Sequence, residues 1–532
     1  MENNVQEANF SNTVNLLGAS LLAYILNLSE PRVVALLTDG GKVTKEQQAV
    51  LDQAEQVLHT AMKGQTNKSK LDFEDRAALR NLSFSNGLSV LNGLRTISGG
   101  NLPKLDTEDP VKRALAEMCL DCYPHTLLPE EQEEIHTGFM HLPTFFGSKK
   151  LTRFISAVRM DAALMKLFPN GIDGDFTDSQ QYFTSFGNGS GTQLGTLPMS
   201  IIYSGIGLMH ARNESSLSAL QLATWEMLDS LRESLNGNKP SLRVYDIFDL
   251  VGLPDDFQAP IGASILSGIP KVFLRHVPFS ARPRQDSEGN FFGCMLQRNC
   301  EYDLALAPFD AAEKFQKNWP VNKSLNEDME HQMVVALATS LALNRERTTA
   351  ARWIATVTID PLYGVGKNWT DRSISLNSNY VASSDECEAL RGLLEAISPA
   401  SVSSIELAVK RLMSATTNRS DFEDSLVDSV IGLESLFGGR SEVSLSVASG
   451  VANLLGKTQS QRSDLFEQSK RVYNARSAVV HGSSKRVMKL DIFEIQKTAT
   501  NLLRGCILEL LQNRPELLEM TAEERVKELI TS

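Results

Sequence analysis

Residues 470–489 read KRVYNARSAVVHGSSKRVMK. Six basic residues (Lys470, Arg471, Arg476, Lys485, Arg486, Lys489) fall in this window, and no Asp or Glu does. The whole chain carries a net charge of -12. The stretch is therefore a local reversal of sign, and the first place to look for chemistry on a polyanion. Arg476 is followed five residues later by His481, and His481 at once by Gly482. Leu465, Val472, Ala475 and Val479 recur at helical period, which predicts a helix buried along that stripe. Gly482 supplies a C′ stop. His481 then falls in the last turn, where the macrodipole favours a positive charge.

An Arg and a His near one phosphate suit a particular reaction. RNA can be cut without a metal when its 2′-hydroxyl attacks the adjacent phosphorus. The step needs a proton carrier near neutral pH, which is the role of His. It also needs a fixed positive fork on the phosphate, which Arg supplies. A spacing of five sets the two side chains about 140° apart on an ideal helix, so they do not share a face. A fraying helix end, or two copies facing each other across a dimer axis, would bring such groups together. The plain alternative is an ordinary surface pair at a helix end, since two fixed residues make a loose motif.

The neighbouring sequence adds three helices. Ser420-Asp421-Phe422-Glu423 reads as a capping box opening DFEDSLVDSVIGLESLFGG, which Gly438 and Gly439 close. A second helix, SEVSLSVASGVANLLG, closes at Gly456, and a fourth runs from about Leu490 to Leu511. The run "EDSLVDSVIGLESLFGG" followed by "RVYNARSAVVHG" resembles the HEPN superfamily, and within it the Apea-like HEPN domain of bacterial defence proteins. The likeness covers about 150 residues, from near Asp385 to the C-terminus.

The resemblance implies a four- or five-helix bundle over 385–532 that dimerises and acts as a metal-independent endoribonuclease. Paired Arg-x4-His motifs would form one composite site, leaving a 2′,3′-cyclic phosphate. Arg476 would hold the phosphate, His481 would move the proton or position the 2′-oxygen, and Glu434 would orient Arg476. The bland reading of Glu434 is a helix–helix salt bridge. Lys470, Arg471, Ser477, Lys485, Arg486 and Lys489 are the expected RNA contacts. Many active members carry Asn, Asp or His directly after the Arg, where this chain has Ser477. A non-catalytic HEPN dimer serving as scaffold or nucleic-acid-binding subunit is therefore the rival expectation. The family context implies anti-phage defence by abortive infection. RNA (tRNA among the candidates) would be the substrate, with a homodimer and a phage protein as trigger.

At 532 residues the chain is too long for one core. Residues 401–532 hold 17 basic and 17 acidic residues, so the first 400 carry the whole negative excess. An acidic body excludes nucleic-acid binding over the full surface. Six Cys make no disulfide framework and suit a reducing cytoplasm. The N-terminus has no basic region of a secretory signal. The apolar run 13–28 is short and interrupted by Asn15, Ser20 and Asn27, which predicts a buried helix and no membrane contact.

The expected fold class is multidomain α+β, mainly helical. Residues 1–170 form a helical region, 171–380 an α+β middle domain with a sensing or gating role, and 385–532 the bundle. Helices are predicted over 45–62, from Asp109 as N-cap with Pro110 at N1, from Pro129, and over 149–167. Cys119 and Cys122 (C-x2-C), then His136 and His141 (H-x4-H), match the ligand arithmetic of a structural zinc, with His125 in reserve. The alternative is two buried thiols and two surface histidines. The loop 185–195, with Gly187, Gly189 and Gly191, lacks the Lys-Ser/Thr of a P-loop and reads as a flexible loop. Strands are predicted at LRVYDIFDLV, KVFLRHVPF, NFFGCMLQ, YDLALAPF, WIATVTID and SISLNSNYV, with helices near 215–235 and 329–344. The basic run 274–284 could touch RNA, or form a solvated loop. An amphipathic last helix over 515–530 could pack on a dimer partner.

Overall fold

The helical start follows from its caps. Helix α1 (Glu2–Ile25) and α2 (Glu30–Thr38) are followed by α3 (Lys45–Ala61) and α4 (Phe73–Asn81). Thr44 with Gln47 and Asp72 with Asp75 form full capping boxes at the last two. With α5 (Val90–Ile97) these helices bury Leu16, Leu21, Leu22, Val50, Leu58, Leu91 and Leu94 in a core of their own. Helix α6 (Pro110–Thr126) begins where the sequence places it. Asp109 accepts from the N–H groups of Val111 and Lys112, and Pro110 occupies the first turn. Helix α7 (Lys149–Val158) follows. The helix expected from Pro129 falls on residues 130–141, outside the described residues. The computed structural model describes residues 2–38, 43–65, 68–84, 87–103, 106–129, 142–179, 181–185, 188–287, 289–308, 323–343, 350–370, 380–397, 399–419, 421–439, 442–481 and 491–531.

The expected flexible loop contains part of a hairpin, β1 (Gln181–Ser185) and β2 (Asn188–Ser190), which a later strand extends to three. Helix α8 (Leu197–Ala211) and α9 (Leu217–Leu235) then lead into the main sheet. Its strands are β3 (Ser241–Asp249), β5 (Gln258–Ile261), β6 (Ser264–Ser267), β7 (Gly293–Glu301), β9 (Arg352–Asp360) and β10 (Gly364–Trp369). They lie in the order β10-β9-β3-β7-β6-β5, antiparallel throughout. The short β4 (Val251–Gly252) pairs with β11 (Tyr380–Val381), and β8 (Ala305–Pro308) with β1. Of the expected strand SISLNSNYV only 380–381 is described.

KVFLRHVPF is not a strand. Lys271–His276 is a 3-10 helix flanked by Pro270 and Pro278, which cannot donate to a ladder. The basic run 274–284 is anchored at three of its residues, while Arg284 is exposed. His276 is buried, Arg275 donates to the Thr126 carbonyl at 2.5 Å, and Arg282 donates to that of Val277 at 3.0 Å.

The sheet is covered on both faces. Helices α6 to α9 bury one face, in a core that contains Leu115, Phe154, Ile201, Leu228, Tyr245 and Val357. Helix α10 (Lys323–Ala342) and α11 (Ser384–Ala396) cover the other, and that core continues without a break into the C-terminal bundle. The bundle comprises α12 (Pro399–Ser404), α13 (Glu406–Met413), a π turn over Ser414–Asn418, α14 (Phe422–Phe437), α15 (Val443–Leu455), α16 (Gln459–Val480), α17 (Ile492–Gln512) and α18 (Ala522–Thr531). The chain is thus multidomain and mainly helical, with a small antiparallel sheet. No helix among the described residues is long and apolar enough to cross a membrane.

Candidate functional site

Three helices frame the Arg476 region. At the start of α14 the N-cap is Asp421, which accepts from the N–H groups of Glu423 and Asp424; Ser420 lies outside the described residues. Helices α14 and α17 run parallel. The Ser429 and Thr500 hydroxyls lie 2.9 Å apart, and Gln496 Nε2 donates to Ser425 Oγ at 2.8 Å, both across 71 residues of chain. Buried Asp428 on α14 accepts from Arg411 Nη1 at 2.6 Å and from Arg419 Nε and Ser414 Oγ at 2.7 Å, which pins the π turn to the bundle. The Arg525 guanidinium of α18 is buried. It donates to the carbonyls of Leu436 (2.7 Å), Leu517 (3.0 Å) and Met520 (2.9 Å), fixing the C-terminal end of α14 two residues after Glu434.

Helix α16 opens with a Thr458–Gln461 capping box and buries Val472, Ala475 and Ala478. Its cap at the other end is His481 itself. The His481 N–H donates to Ser477 O at 3.1 Å, and its side chain is exposed. Val480 beside it is 50% exposed, which makes this last turn a surface feature. Arg476 is half-buried, with its guanidinium 6.0 Å from the Tyr473 ring centroid. Its Nε is buried and has no hydrogen-bond partner, and no carboxylate among the described residues lies within ion-pair distance of it. Glu434 sits against the Tyr473 hydroxyl. Burial and that carboxylate push the Tyr473 phenol up, and Arg476 pulls it down. The order in space is Glu434, Tyr473, Arg476, with His481 further along α16.

Among the proposed RNA contacts, Lys470 and Arg471 are exposed, and Lys470 Nζ lies 5.5 Å from the Phe466 ring centroid. Ser477 is half-buried. Lys485, Arg486, Lys489 and the Gly482 stop lie outside the described residues. Tyr473 was absent from the sequence-derived set. Its position one turn before Arg476 was the available signal, since residues three apart on a helix are neighbours.

The suggested zinc residues are described only in part. Cys119 and Cys122, one turn apart on α6, are fully buried. Cys119 Sγ lies 3.5 Å from Thr224 Oγ1 of α9, and burial pushes its thiol up to about 12 and that of Cys122 well above its usual range. Burial and the Arg80 charge hold His125 down to about 3. His136 and His141 lie outside the described residues. No group of three or more metal-ligating side chains occurs among the described residues.

No protein-family model matches the chain, and neither a curated protein nor a solved structure does.

Proposed function

We propose that the C-terminal bundle is a metal-independent endoribonuclease of HEPN type, that it works as a homodimer, and that residues 1–375 hold it in check within an anti-phage defence system. The observation that carries this reading is the state of Arg476. It is half-buried, no carboxylate among the described residues lies within ion-pair distance of it, and its Nε has no acceptor among them, so a phosphate oxygen would satisfy a donor that these residues leave open. His481, exposed at the end of the same helix, supplies a proton carrier within reach of solvent RNA.

In this reaction the 2′-oxygen attacks phosphorus as its proton passes to an imidazole. The bond from phosphorus to the 5′-oxygen breaks, and that oxygen takes a proton from the second copy's imidazole. Arg476 stabilises the charge that grows on the non-bridging oxygens. Two motifs are required because five residues of helix turn the two side chains to different faces. Glu434 acts through Tyr473 in this scheme: the carboxylate fixes the phenol, and the ring supports the guanidinium.

The test is to incubate total tRNA with the purified full-length chain in excess EDTA, beside Arg476→Ala and His481→Ala, mapping product ends for 2′,3′-cyclic phosphate. The fragment 385–532 is assayed in parallel. The expected result is cleavage by the wild-type chain or by the fragment, lost by a factor of about 10²–10⁴ in either variant while folding and dimerisation persist. Failure of both the chain and a folded, dimeric fragment to cleave would favour the scaffold reading, with Ser477 as its sequence correlate.

A further inference from the structure

The edge strand β10 lies along helix α8, and two glycines fix how the two meet. A Cβ on Gly364 would stand 2.7 Å from Tyr203 Cδ1, and a Cβ on Gly207 would stand 2.8 Å from Val365 Cγ2. Tyr203, Gly207 and His210 follow one another along α8 at about one turn each. Val365 and Lys367 share a face of β10, because side chains alternate along a strand. The next step past Val365 and Gly207 therefore brings Lys367 to the level of His210. His276 joins this group from its 3-10 helix. Its ring centroid lies 5.1 Å from that of His210 and 5.8 Å from that of Tyr203.

Two groups here lack the partners that folded proteins normally provide. His276 is buried; its Nε2 lies 2.9 Å from His210 Nδ1, and its own Nδ1 is buried without a hydrogen-bond partner. Lys367 is half-buried, and its ammonium makes no hydrogen bond or ion pair among the described residues. The charges that act on His276 are those of Lys367, Arg275 and Arg282, all positive. Arg275 is turned away, to the Thr126 carbonyl. Burial and the Arg282 charge hold Lys367 down to about 8, so most molecules keep that proton at pH 7.5. Positive charge gathered away from water with no counter-charge is costly. Folds keep such groups where a ligand completes them.

We propose that Lys367 and His276 form a binding site for a phosphoryl group, with Arg282 beside them. Oxygens of the anion accept from the Lys367 ammonium and from the Nδ1–H of His276. That proton sits on Nδ1 when His210 donates through its own Nδ1–H to His276 Nε2, which is the tautomer an anion selects. The donors come from a sheet edge and from a 3-10 helix, so they approach the ligand from different sides. A tetrahedral oxyanion, whose oxygens point apart, meets them better than a planar carboxylate does. Lys367 is partly exposed on the last strand of the sheet, which leaves the site open to solvent there. This inference does not depend on the nuclease reading.

The test is isothermal titration of the full-length protein at pH 7.5 and fixed ionic strength, in phosphate-free buffer, with inorganic phosphate, with adenosine monophosphate and with acetate. Saturable binding of phosphate is expected, with acetate binding far more weakly. Adenosine monophosphate binding as tightly would assign the site to phosphomonoesters, and phosphate binding alone would assign it to the free ion. Lys367→Met should weaken the binding about 10- to 100-fold, the worth of one charged hydrogen bond. His276→Gln keeps an amide towards His210 but removes the Nδ1 donor, and should weaken binding about 10-fold. His276→Asn, whose amide can take the Nδ1 place, should recover part of that loss. Without ligand, Lys367→Met should melt at the wild-type temperature or above it. The proposal is overturned if neither phosphate compound binds, if acetate binds as tightly, or if Lys367→Met or His276→Gln binds like the wild type. A melting point several degrees lower in unliganded Lys367→Met would overturn it too, by making Lys367 a structural residue.

Discussion

Lowering the pH from 7.5 to 5.5 should destabilise this protein through two buried imidazoles. His210 on α8 and His276 in the following 3-10 helix are each 3% exposed, and His210 Nδ1 lies 2.9 Å from His276 Nε2. Burial, with Arg275 nearby, holds His210 down to about 3. Burial, the neighbouring His210 and the cations Lys367, Arg275 and Arg282 hold His276 well below its ordinary value. The unfolded chain binds these protons near pH 6.5 and the folded chain does not. Stability is therefore full above pH 6.5 and falls as pH drops through it, until the folded imidazoles themselves protonate. Between pH 7.5 and 5.5 each histidine costs about 1.4 kcal/mol, and the pair about 2.7 kcal/mol. That is a large share of the ~5–15 kcal/mol typical of a folded domain. Urea denaturation at fixed ionic strength, followed by tryptophan fluorescence, should show a midpoint lower by about 0.5–1 M at pH 5.5, since m rises with chain size. His210→Gln should lose about half of this pH dependence. An unchanged midpoint in the wild-type chain would refute the argument, because it would mean that both imidazoles take up protons in place.

Arg525→Ala leaves the carbonyls of Leu436, Leu517 and Met520 without their donor and opens a cavity. It should destabilise the bundle by about 3 kcal/mol in thermal unfolding, with Arg525→Lys recovering only part. Asp428→Asn takes the counter-charge from Arg411 and leaves Arg419 only Asp424 at 3.4 Å, for a loss of about 2 kcal/mol in the same assay. At Gly205 an added Cβ would stand 2.9 Å from the Thr224 Cα and backbone nitrogen. Gly205→Ala should therefore push α9 off α8 and cost about 1–3 kcal/mol, read as a lower melting temperature.

Some of this architecture was legible in the residues and some was hidden for physical reasons. Caps are local, so Asp109–Pro110 and the Gly456 stop could be read directly. Helix α8 could not be, because LPMSIIYSGIGLMHA is buried all round and has no polar face to give a 3.6-residue period. KVFLRHVPF has strand composition, but Pro270 before it, Pro278 within it and the burial of His276 make it a 3-10 helix, and burial is a tertiary fact. At the candidate site Arg476 and His481 stood out by type and spacing. The vacancy at Arg476 Nε and the place of Tyr473 between Glu434 and Arg476 depend on how α14 meets α16, which spacing along one helix does not encode.

The strand order has a consequence for how the chain is made. β3 is central, with β7 on one side and β9 on the other. Its second neighbour begins at Arg352, about a hundred residues after β3 ends at Asp249. At about 5–20 residues per second, a ribosome needs roughly 5–20 s to deliver it. During that interval one edge of β3, carrying Val244, Tyr245, Ile247 and Phe248, has no ladder partner, and such an edge invites pairing between chains. Nascent chains should therefore depend on chaperones most strongly in the window between these two strands. Slowing translation there should lower the soluble yield more than slowing it within the C-terminal bundle, whose helices satisfy their own backbone and present no strand edge.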